Sequence, residues 1–357
     1  MRVVIAGGGT GGHLFPGIAL ADAFRQIAAD VSILFVGTSK GLGDAPLLGR
    51  HHRFETVSAA GFIGKGFIGR MKSLLSIPIA LYQSIRILRR FSPQLVIGMG
   101  GYAAGPVLLA SVLLRLKRVI LEPNVVPGLS NRLIAPFCHI VFTAFEETRH
   151  RLRAHTIQRL GMPVRPEIVD AKPAQNRQAG HTLLVLGGSQ GAHSINGAMM
   201  TALPSLEALN ESLFIIHQTG EKDQAAVRSA YQAAGFAAEV TAFIDDMAAA
   251  YMASDLVVSR AGAGTLSELA VLGKASLLIP FPYAAGHQEE NAAAFVAAGA
   301  AVMLYDRALS GSRTALEIRN LLSDAKRRRE METAAKQQGN VNAAEAIVNA
   351  CLGLLQE

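Results

Sequence analysis

The sequence predicts an α/β protein of two similar, nucleotide-binding-like halves, and three observations carry that prediction. Short apolar, β-branched runs end in glycine turns leading into helix-forming stretches, around residues 3–17, 95–106, 182–193 and 256–268. The opening of the chain reads strand–helix–strand, which implies a parallel sheet with a right-handed crossover. The pattern then restarts: Gly187-Gly188-Ser189-Gln190-Gly191-Ala192-His193 echoes Gly8-Gly9-Thr10-Gly11-Gly12-His13. A length of 357 residues fits about two domains, and a hydrophobic fraction of 50% is enough for two cores.

Taken in order, Arg2–Gly8 is a buried strand, Pro16–Ala29 a helix with an apolar stripe at Ile18, Ala21 and Phe24, and Val31–Gly37 a second strand. Residues 38–72 are loop-rich. Within them Gly61–Arg70 mixes glycines with Phe62, Ile63, Phe67, Ile68, Lys65 and Arg70. That composition suits a loop dipping into a membrane surface, and equally an interdomain loop with tucked aromatics. Ser73–Phe91 reads as an amphipathic helix with Arg86, Arg89 and Arg90 near its C-terminal end, where cations suit the helix dipole. The uncharged stretch 91–114 is long enough to cross a bilayer, but Pro93, Pro106 and its glycines break it. It is therefore strand Leu95–Met99, a glycine turn and a buried helix. Val119–Leu121 is a strand ending in Glu122-Pro123-Asn124, and Val141–Thr143 is expected to be the last strand of this half.

Two prolines and a glycine in Arg159–Pro166 mark a hinge, placing one domain at 1–163 and a second at 164–340, followed by a terminal segment 341–357. In the second half Thr182–Leu186, Leu213–Gln218, Glu239–Phe243, Leu256–Ser259 and Ser276–Ile279 read as strands. Asp245 or Asp246 can cap a helix over Met247–Ser254, and His287-Gln288-Glu289-Glu290-Asn291-Ala292 opens another. Lys326–Glu332 is a solvated helix face, and Ala343–Leu355 a last amphipathic helix.

Charge divides the chain at the same hinge. Residues 1–163 carry 19 Lys+Arg against 7 Asp+Glu, net +12; residues 164–357 carry 15 against 20, net −5. No acidic residue lies between Glu55 and Glu122, a stretch holding Lys65, Arg70, Lys72, Arg86, Arg89, Arg90, Arg115, Lys117 and Arg118. Such a stretch is either a solvated basic face or a surface for an anionic partner, such as phospholipid head groups, a lipid diphosphate or nucleic acid. The absence of Trp and an aromatic content of 6% argue against a base-stacking nucleic-acid binder. Cys138 and Cys351 form neither a metal spacing nor a disulfide framework, and the apolar run Val3–Ala6 is too short for a signal peptide.

Gly7-x-Gly9-x-x-Gly12 matches a dinucleotide fingerprint in form. That fingerprint needs an acid at the end of the second strand, where this chain has Gly37-Thr38-Ser39, so NAD is disfavoured. Repeated glycine turns at strand ends suit a diphosphate: the Gly188–Gly191 amides can cradle oxygens, Ser189 can donate, and Arg165 can pair bidentately. Ser189 could instead cap a helix, and Arg165 form a surface ion pair. Glu268, three residues after Thr265, fits a capping box or an acceptor for ribose hydroxyls. At the lip of the first turn His13 is the side chain able to take a proton near neutral pH, a candidate general base. With no D-x-D, no His/Cys cluster and no nucleophile elbow, the expected chemistry calls for no cofactor and no metal.

Together these stretches resemble the MurG family, the UDP-N-acetylglucosamine:lipid I N-acetylglucosaminyltransferases of bacterial peptidoglycan synthesis, within the GT-B glycosyltransferases. The resemblance rests on residues 8–17, Gly98-Met99-Gly100-Gly101-Tyr102, Glu122-Pro123-Asn124, residues 187–192, Phe243-Ile244-Asp245-Asp246-Met247, Arg260 through Glu268, and residues 287–292, all in the family's order. It implies a GT-B fold of two Rossmann-like, doubly wound domains with a cleft between them, the last helix returning to the first domain. By motif position, the Ile244 backbone would meet uracil and Glu268 the ribose. Ser189, Arg165 and the turn Ala263, Gly264, Thr265, continuing into Leu266 and Ser267, would surround ribose and diphosphate. Gln288, with Asn291 nearby, would read the sugar hydroxyls, while Thr10, Gly11, Gly12 and Asn124 would close on the donor. Tyr102 and Glu122 would serve the acceptor or support the site.

The family's His-Glu-Gln-Asn stretch is Leu121-Glu122-Pro123-Asn124 here, with one N–H removed at Pro123, and the loop Gly41–Arg50 has Asp44 in place of the usual glutamate. The implied reaction is an inverting displacement in which the C4 hydroxyl of the lipid-linked N-acetylmuramoyl group attacks the donor's anomeric carbon, with His13 as base. The implied partners are UDP-GlcNAc, undecaprenyl diphosphate-linked lipid I and anionic phospholipid, at the cytoplasmic face of the inner membrane, without nucleic acid. Two other readings stand beside it: a GT-B transferase with a different lipid or sugar acceptor, and a non-catalytic nucleotide-sugar-binding peripheral membrane protein. An oxidoreductase is third.

Overall fold

The computed structural model describes residues 1–7, 11–28, 30–38, 52–59, 67–172, 180–188, 191–283 and 286–356, with backbone alone at 11–13 and 67–75. It divides into two compact units, Met1–Arg165 with Val341–Glu357, and Pro166–Asn340. All strand pairings among the described residues are parallel.

The first unit runs β1 (Arg2–Ala6), α1 (Gly11–Ile27), β2 (Ser32–Gly37), β3 (Arg53–Thr56), α2 (Phe67–Phe91), β4 (Leu95–Gly98), α3 (Gly101–Leu113), β5 (Lys117–Glu122), α4 (Leu129–Ile134), β6 (Ile140–Thr143) and β7 (Ile157–Arg159). Its seven-stranded sheet has the order β3-β2-β1-β4-β5-β6-β7. The order reverses direction at β1–β4, where Val3 pairs Leu95 and Ala6 pairs Gly98. Both faces of the sheet are covered, so β1 alternates between two cores rather than between core and water. Val3 and Ile5 pack with Phe24, Ile97, Ile347 and Cys351; Val4 and Ala6 pack with Leu88, Val96, Val107 and Leu108.

The second unit runs α5 (Pro166–Val169), β8 (His181–Leu186), α6 (His193–Leu206), β9 (Leu213–Gln218), α7 (Gln224–Ala233), β10 (Ala237–Thr241), α8 (Met247–Ala253), β11 (Leu256–Ser259), α9 (Ala263–Leu272), β12 (Ser276–Leu278), α10 (His287–Ala297), β13 (Ala301–Met303), α11 (Gly311–Ser323) and α12 (Ala325–Gln338). Its six strands have the order β10-β9-β8-β11-β12-β13, and the switch falls at β8–β11, where Leu186 pairs Ser259. Last comes α13 (Ala343–Gln356), which belongs to the first unit and packs on α1.

Several sequence expectations are corrected. α1 starts at Gly11 rather than Pro16, and α2 starts at Phe67 rather than Ser73. Thr143 does not end the first sheet, because β7 adds an edge strand. The short strands β3 and β13 were not anticipated, and the strand expected at Glu239–Phe243 lies two residues earlier. Of the two candidate caps of α8, Asp246 is the one that accepts from the helix, as expected. The units divide after Arg165, inside the stretch Arg159–Pro166. Cys138 and Cys351 are free and buried, and burial pushes both thiols up to about 12. Among the described residues no helix is long and apolar enough to cross a membrane, and no group of three or more His, Cys, Asp or Glu could hold a metal ion.

Candidate functional site

In open α/β sheets, ligands bind beyond the carboxyl ends of the strands, at the point where the strand order reverses. Each unit places two strand ends side by side there: those of β1 and β4, and those of β8 and β11. In the first unit the two strand ends approach closely, since a Cβ on Gly7 would lie 2.8 Å from Met99 Cβ. The turn after β4 uses positive φ at Gly100 (88°) and Gly101 (78°) and leaves Tyr102 half-exposed in the first turn of α3. Gly11, Gly12 and His13 form the first turn of α1. Thr10 and Ser189 lie outside the described residues, as do Lys65 and the stretch Gly41–Arg50.

At the end of β5, Glu122 is 1% exposed and organises the loop that follows. Its Oε1 accepts from Asn124 N–H (3.0 Å) and Asn124 Nδ2 (3.2 Å); its Oε2 accepts from Gly128 N–H (3.0 Å) and Asn131 Nδ2 (2.9 Å). Burial pushes this carboxyl above the ordinary carboxylate range, and the four N–H donors pull it back. Glu122 is thus a loop organiser that holds Asn124, whose carbonyl also accepts from Thr148 Oγ1 at 3.0 Å. The N–H missing at Pro123 does not prevent this arrangement. Arg165 is half-buried, its guanidinium carbon 4.6 Å from the centre of the Phe15 ring.

In the second unit the turn after β8 is sterically specified. Gly191 has φ +74°, and a Cβ there would lie 2.0 Å from Thr219 O. Gln218, 4% exposed at the end of β9, bridges two predicted parts of the site: its Nε2 donates to Gly188 O (2.8 Å), and its Oε1 accepts from Ile244 N–H (3.1 Å). Gly262 precedes α9 with φ −67° and nothing within 4 Å of an added Cβ, so neither its conformation nor its neighbours require glycine. The first turn of α9, Ala263-Gly264-Thr265, has no side-chain cap. Leu266 is buried and Ser267 Oγ donates to Ala263 O (2.8 Å), so what this turn can offer a ligand is backbone N–H and the half-buried Thr265.

The capping-box reading of Glu268 is corrected, because Gly262 is the N-cap and Thr265 already lies inside the helix. Glu268 Oε2 instead accepts from the hydroxyl of buried Tyr251 at 3.0 Å. Gln288 Oε1 accepts from Phe281 N–H (2.9 Å). Asn291 is fully buried and donates to Ala261 O (3.4 Å), a supporting position. Arg260 clamps the strand ends: its Nη1 donates to Ile279 O (3.1 Å) and Asp306 Oδ2 (2.5 Å), and its Nη2 to Ser194 Oγ (2.7 Å) at the start of α6.

Behind α6 lies a buried network. Asn196 Nδ2 donates to Thr219 O (2.9 Å) and Asp223 Oδ2 (2.8 Å), so its Oδ1 faces His217 Nε2 (3.0 Å). Nε2 therefore carries the proton, and Nδ1 accepts from Tyr231 OH (2.8 Å). Burial lowers the His217 pKa to about 3. The sequence reading missed Gln218, Tyr251, Asn131 and this network. Polar residues inside the apolar stretch Leu213–Gln218 were a signal for His217 and Gln218; Tyr251 left none.

Residues 3–143 match the glycosyltransferase family 28 N-terminal domain, and residues 182–347 its C-terminal domain. The chain is 44% identical over 358 residues to a UDP-N-acetylglucosamine–N-acetylmuramyl-(pentapeptide) pyrophosphoryl-undecaprenol N-acetylglucosamine transferase of Syntrophus aciditrophicus, covering 100% of this chain and 99% of the relative. It is 44% identical over 360 residues to the transferase of the same name from Myxococcus xanthus, covering 99% and 93%. Among solved structures, MurG of Acinetobacter baumannii superposes with a TM-score of 0.80 at 29% identity over 98% of each chain. The S. aureus MnaA–UDP co-structure, at TM-score 0.72 and 13% identity over 100% of this chain and 98% of that one, shares the fold alone.

Proposed function

The chain belongs to the MurG family of glycosyltransferase family 28, and on that premise we propose that it moves N-acetylglucosamine from UDP-N-acetylglucosamine to the C4 hydroxyl of N-acetylmuramate in lipid I, giving lipid II. The fold is GT-B. The observation that carries the reading is likeness over the full length to relatives named for this transfer. The fold adds support, because the strands that lead into the glycine motifs are neighbours at the switch point of each sheet.

In this reading the acceptor oxygen forms a bond to the anomeric carbon as the bond from that carbon to the UDP oxygen breaks. His13 takes the hydroxyl proton, and UDP departs with its electron pair. Arg165, Ser189 and the N–H groups of Ala263, Gly264 and Thr265 meet the growing charge on the diphosphate. Each well-aimed donor of this kind contributes roughly 3 kcal/mol. The Ile244 backbone takes uracil; with its N–H held by Gln218, its carbonyl is the group that accepts from the base's N3–H. Glu268 takes the ribose and Gln288 the sugar hydroxyls. Gly11, Gly12, Thr10 and Asn124 complete the substrate contacts, Tyr102 faces the acceptor, and Glu122 and Asn291 support.

Attachment to an anionic bilayer at the cytoplasmic face belongs to the same reading. Exposed Ile79, Tyr82, Arg86 and Arg89 lie on α2, and exposed Leu113 and Arg115 end α3, all inside the stretch without acids. Arg90 and Arg118 are not part of that face: Arg90 pairs with Glu55, and Arg118 donates to the carbonyls of Phe137 and Ser111. Transfer of labelled N-acetylglucosamine by the purified chain to a short-chain lipid I analogue tests the activity. Replacing His13 with Ala should abolish most turnover and leave UDP affinity intact. A His13→Ala enzyme with near-parental turnover would remove His13 as the base.

A further inference from the structure

Glu268 is oriented by a residue outside every glycine motif. Tyr251 is 0% exposed, and its hydroxyl donates to Glu268 Oε2 at 3.0 Å. Both ends of this contact are held. α8 opens on Asp246, whose Oδ1 accepts from Ala249 N–H (2.9 Å), and closes at Ser254, whose hydroxyl and N–H both donate to Tyr251 O (2.8 and 3.1 Å). Lys274 Nζ then donates to Ser254 O (2.9 Å), tying the end of α8 to the end of the helix that carries Glu268.

We propose that Tyr251 is a positioning residue for nucleoside recognition: it presents the Glu268 carboxylate in one rotamer to the vicinal hydroxyls of the donor's ribose. The proposal rests on the reading of Glu268 as ribose ligand and adds the device that makes that ligand selective. A glutamate has three side-chain torsions, and freezing them on binding costs affinity unless a neighbour has frozen them already. A phenol O–H does this without adding charge. A carboxylate has about four acceptor positions, so one tyrosine hydroxyl and two ribose hydroxyls are compatible in number. Tyr251 therefore acts on ligands that carry the diol and is silent toward those that lack it.

The test compares UDP with 2′,3′-dideoxy-UDP by calorimetry on the full chain. The parent should prefer UDP. Tyr251→Phe should weaken UDP about tenfold, the loss of one charge-assisted hydrogen bond, and leave dideoxy-UDP unchanged. Glu268→Ala, run alongside, should bring the two ligands to the same affinity. If Glu268→Ala keeps the parental preference, the ribose reading of Glu268 fails and the proposal fails with it. If Glu268→Ala erases the preference while Tyr251→Phe weakens both ligands alike, or neither, only the role of Tyr251 is overturned. Loss of all binding in Tyr251→Phe would likewise overturn it, since the hydroxyl would then be serving the fold.

Discussion

Helices near the centre of the second sheet begin differently from those at its edges. α6, α9 and α10 follow β8, β11 and β12 and start on Ala192, Gly262 and Gly286, none of which supplies a side-chain cap. α8 and α11 follow the edge strands β10 and β13, and α12 follows α11; they start on Asp246, Ser310 and Asp324, each accepting from the N–H three residues on. Even α7, which starts on Asp223, turns that carboxylate away from the helix, toward His193 and Asn196. The first N–H groups of a helix need partners from somewhere. Side chains provide them at the edges. Near the centre the N-cap side chains provide none, and in the proposed function a diphosphate takes that role.

The largest effect should follow from giving a central helix an edge-type start. Gly262→Asp places a carboxylate at the N-cap of α9, in extended backbone that suits aspartate and in space an added Cβ does not contest. Stability should hold or rise by up to about 1 kcal/mol. UDP binding should fall by a factor of about 100 or more, since like charges some 4–5 Å apart repel by roughly 3 kcal/mol at an effective dielectric of 20. Calorimetric titration with UDP reads the second effect and thermal melting the first. Parental UDP affinity in Gly262→Asp would show that the open start of α9 is not where the phosphates lie.

A smaller effect concerns how α6 stays in place without a cap. Asn196, in its second turn, is held from behind by His217 and Tyr231. Burial holds His217 at about 3, far below the 6.5 of an unfolded histidine. Below pH 6.5 the unfolded chain takes up a proton that the folded chain refuses, so this group's stabilisation is complete above 6.5 and is lost as pH falls toward 3. At pH 5 the loss is about 2 kcal/mol. Hydrogen exchange of the β9 amides should show it. In His217→Asn, β9 should be less protected at pH 7.5 and should lack this part of the decline between pH 7 and 5. The stabilisation from Asp223, whose pKa is lowered chiefly by the bond from Asn196, is present above its ordinary value of 3.8 and is lost only as pH falls below that, outside this window. An equally steep decline in the variant would place the titrating group elsewhere.

This contrast between centre and edge also sorts what was legible in the sequence. Central strands such as Val3–Ala6 and Leu183–Leu186 are buried on both faces and read as apolar runs; the glycines that end them are visible because close approach and positive φ leave few alternatives. Edge strands are poorer signals. β3 is Arg-Phe-Glu-Thr, β7 Ile-Gln-Arg and β13 Ala-Val-Met, too short or too polar to announce themselves. The glycine turns of the site were legible for the same reason as the central strands. Gln218, Asn131 and Tyr251 were not, because their roles exist only once separate strands and helices have been brought together. Arg118 shows the converse: it counts as surface charge in sequence, yet its guanidinium is spent on backbone carbonyls.

The smallest predicted effect is the control that gives the comparison its meaning. Asp324 Oδ1 accepts from Arg327 N–H at 2.9 Å, and Ser310 Oγ from Arg313 N–H at 3.3 Å. Asp324→Ala and Ser310→Ala each remove one cap, at a cost of about 1 kcal/mol, which for a unit of this size lowers its melting temperature by about 2–4 °C. The longer Ser310 contact should cost the less of the two. Neither helix start lies beside the β8–β11 switch, so KM for UDP-N-acetylglucosamine and kcat should both stay at parental values. A raised KM in either variant would mean that edge helices also report to the donor site, and the division between capped and uncapped starts would then reflect packing alone.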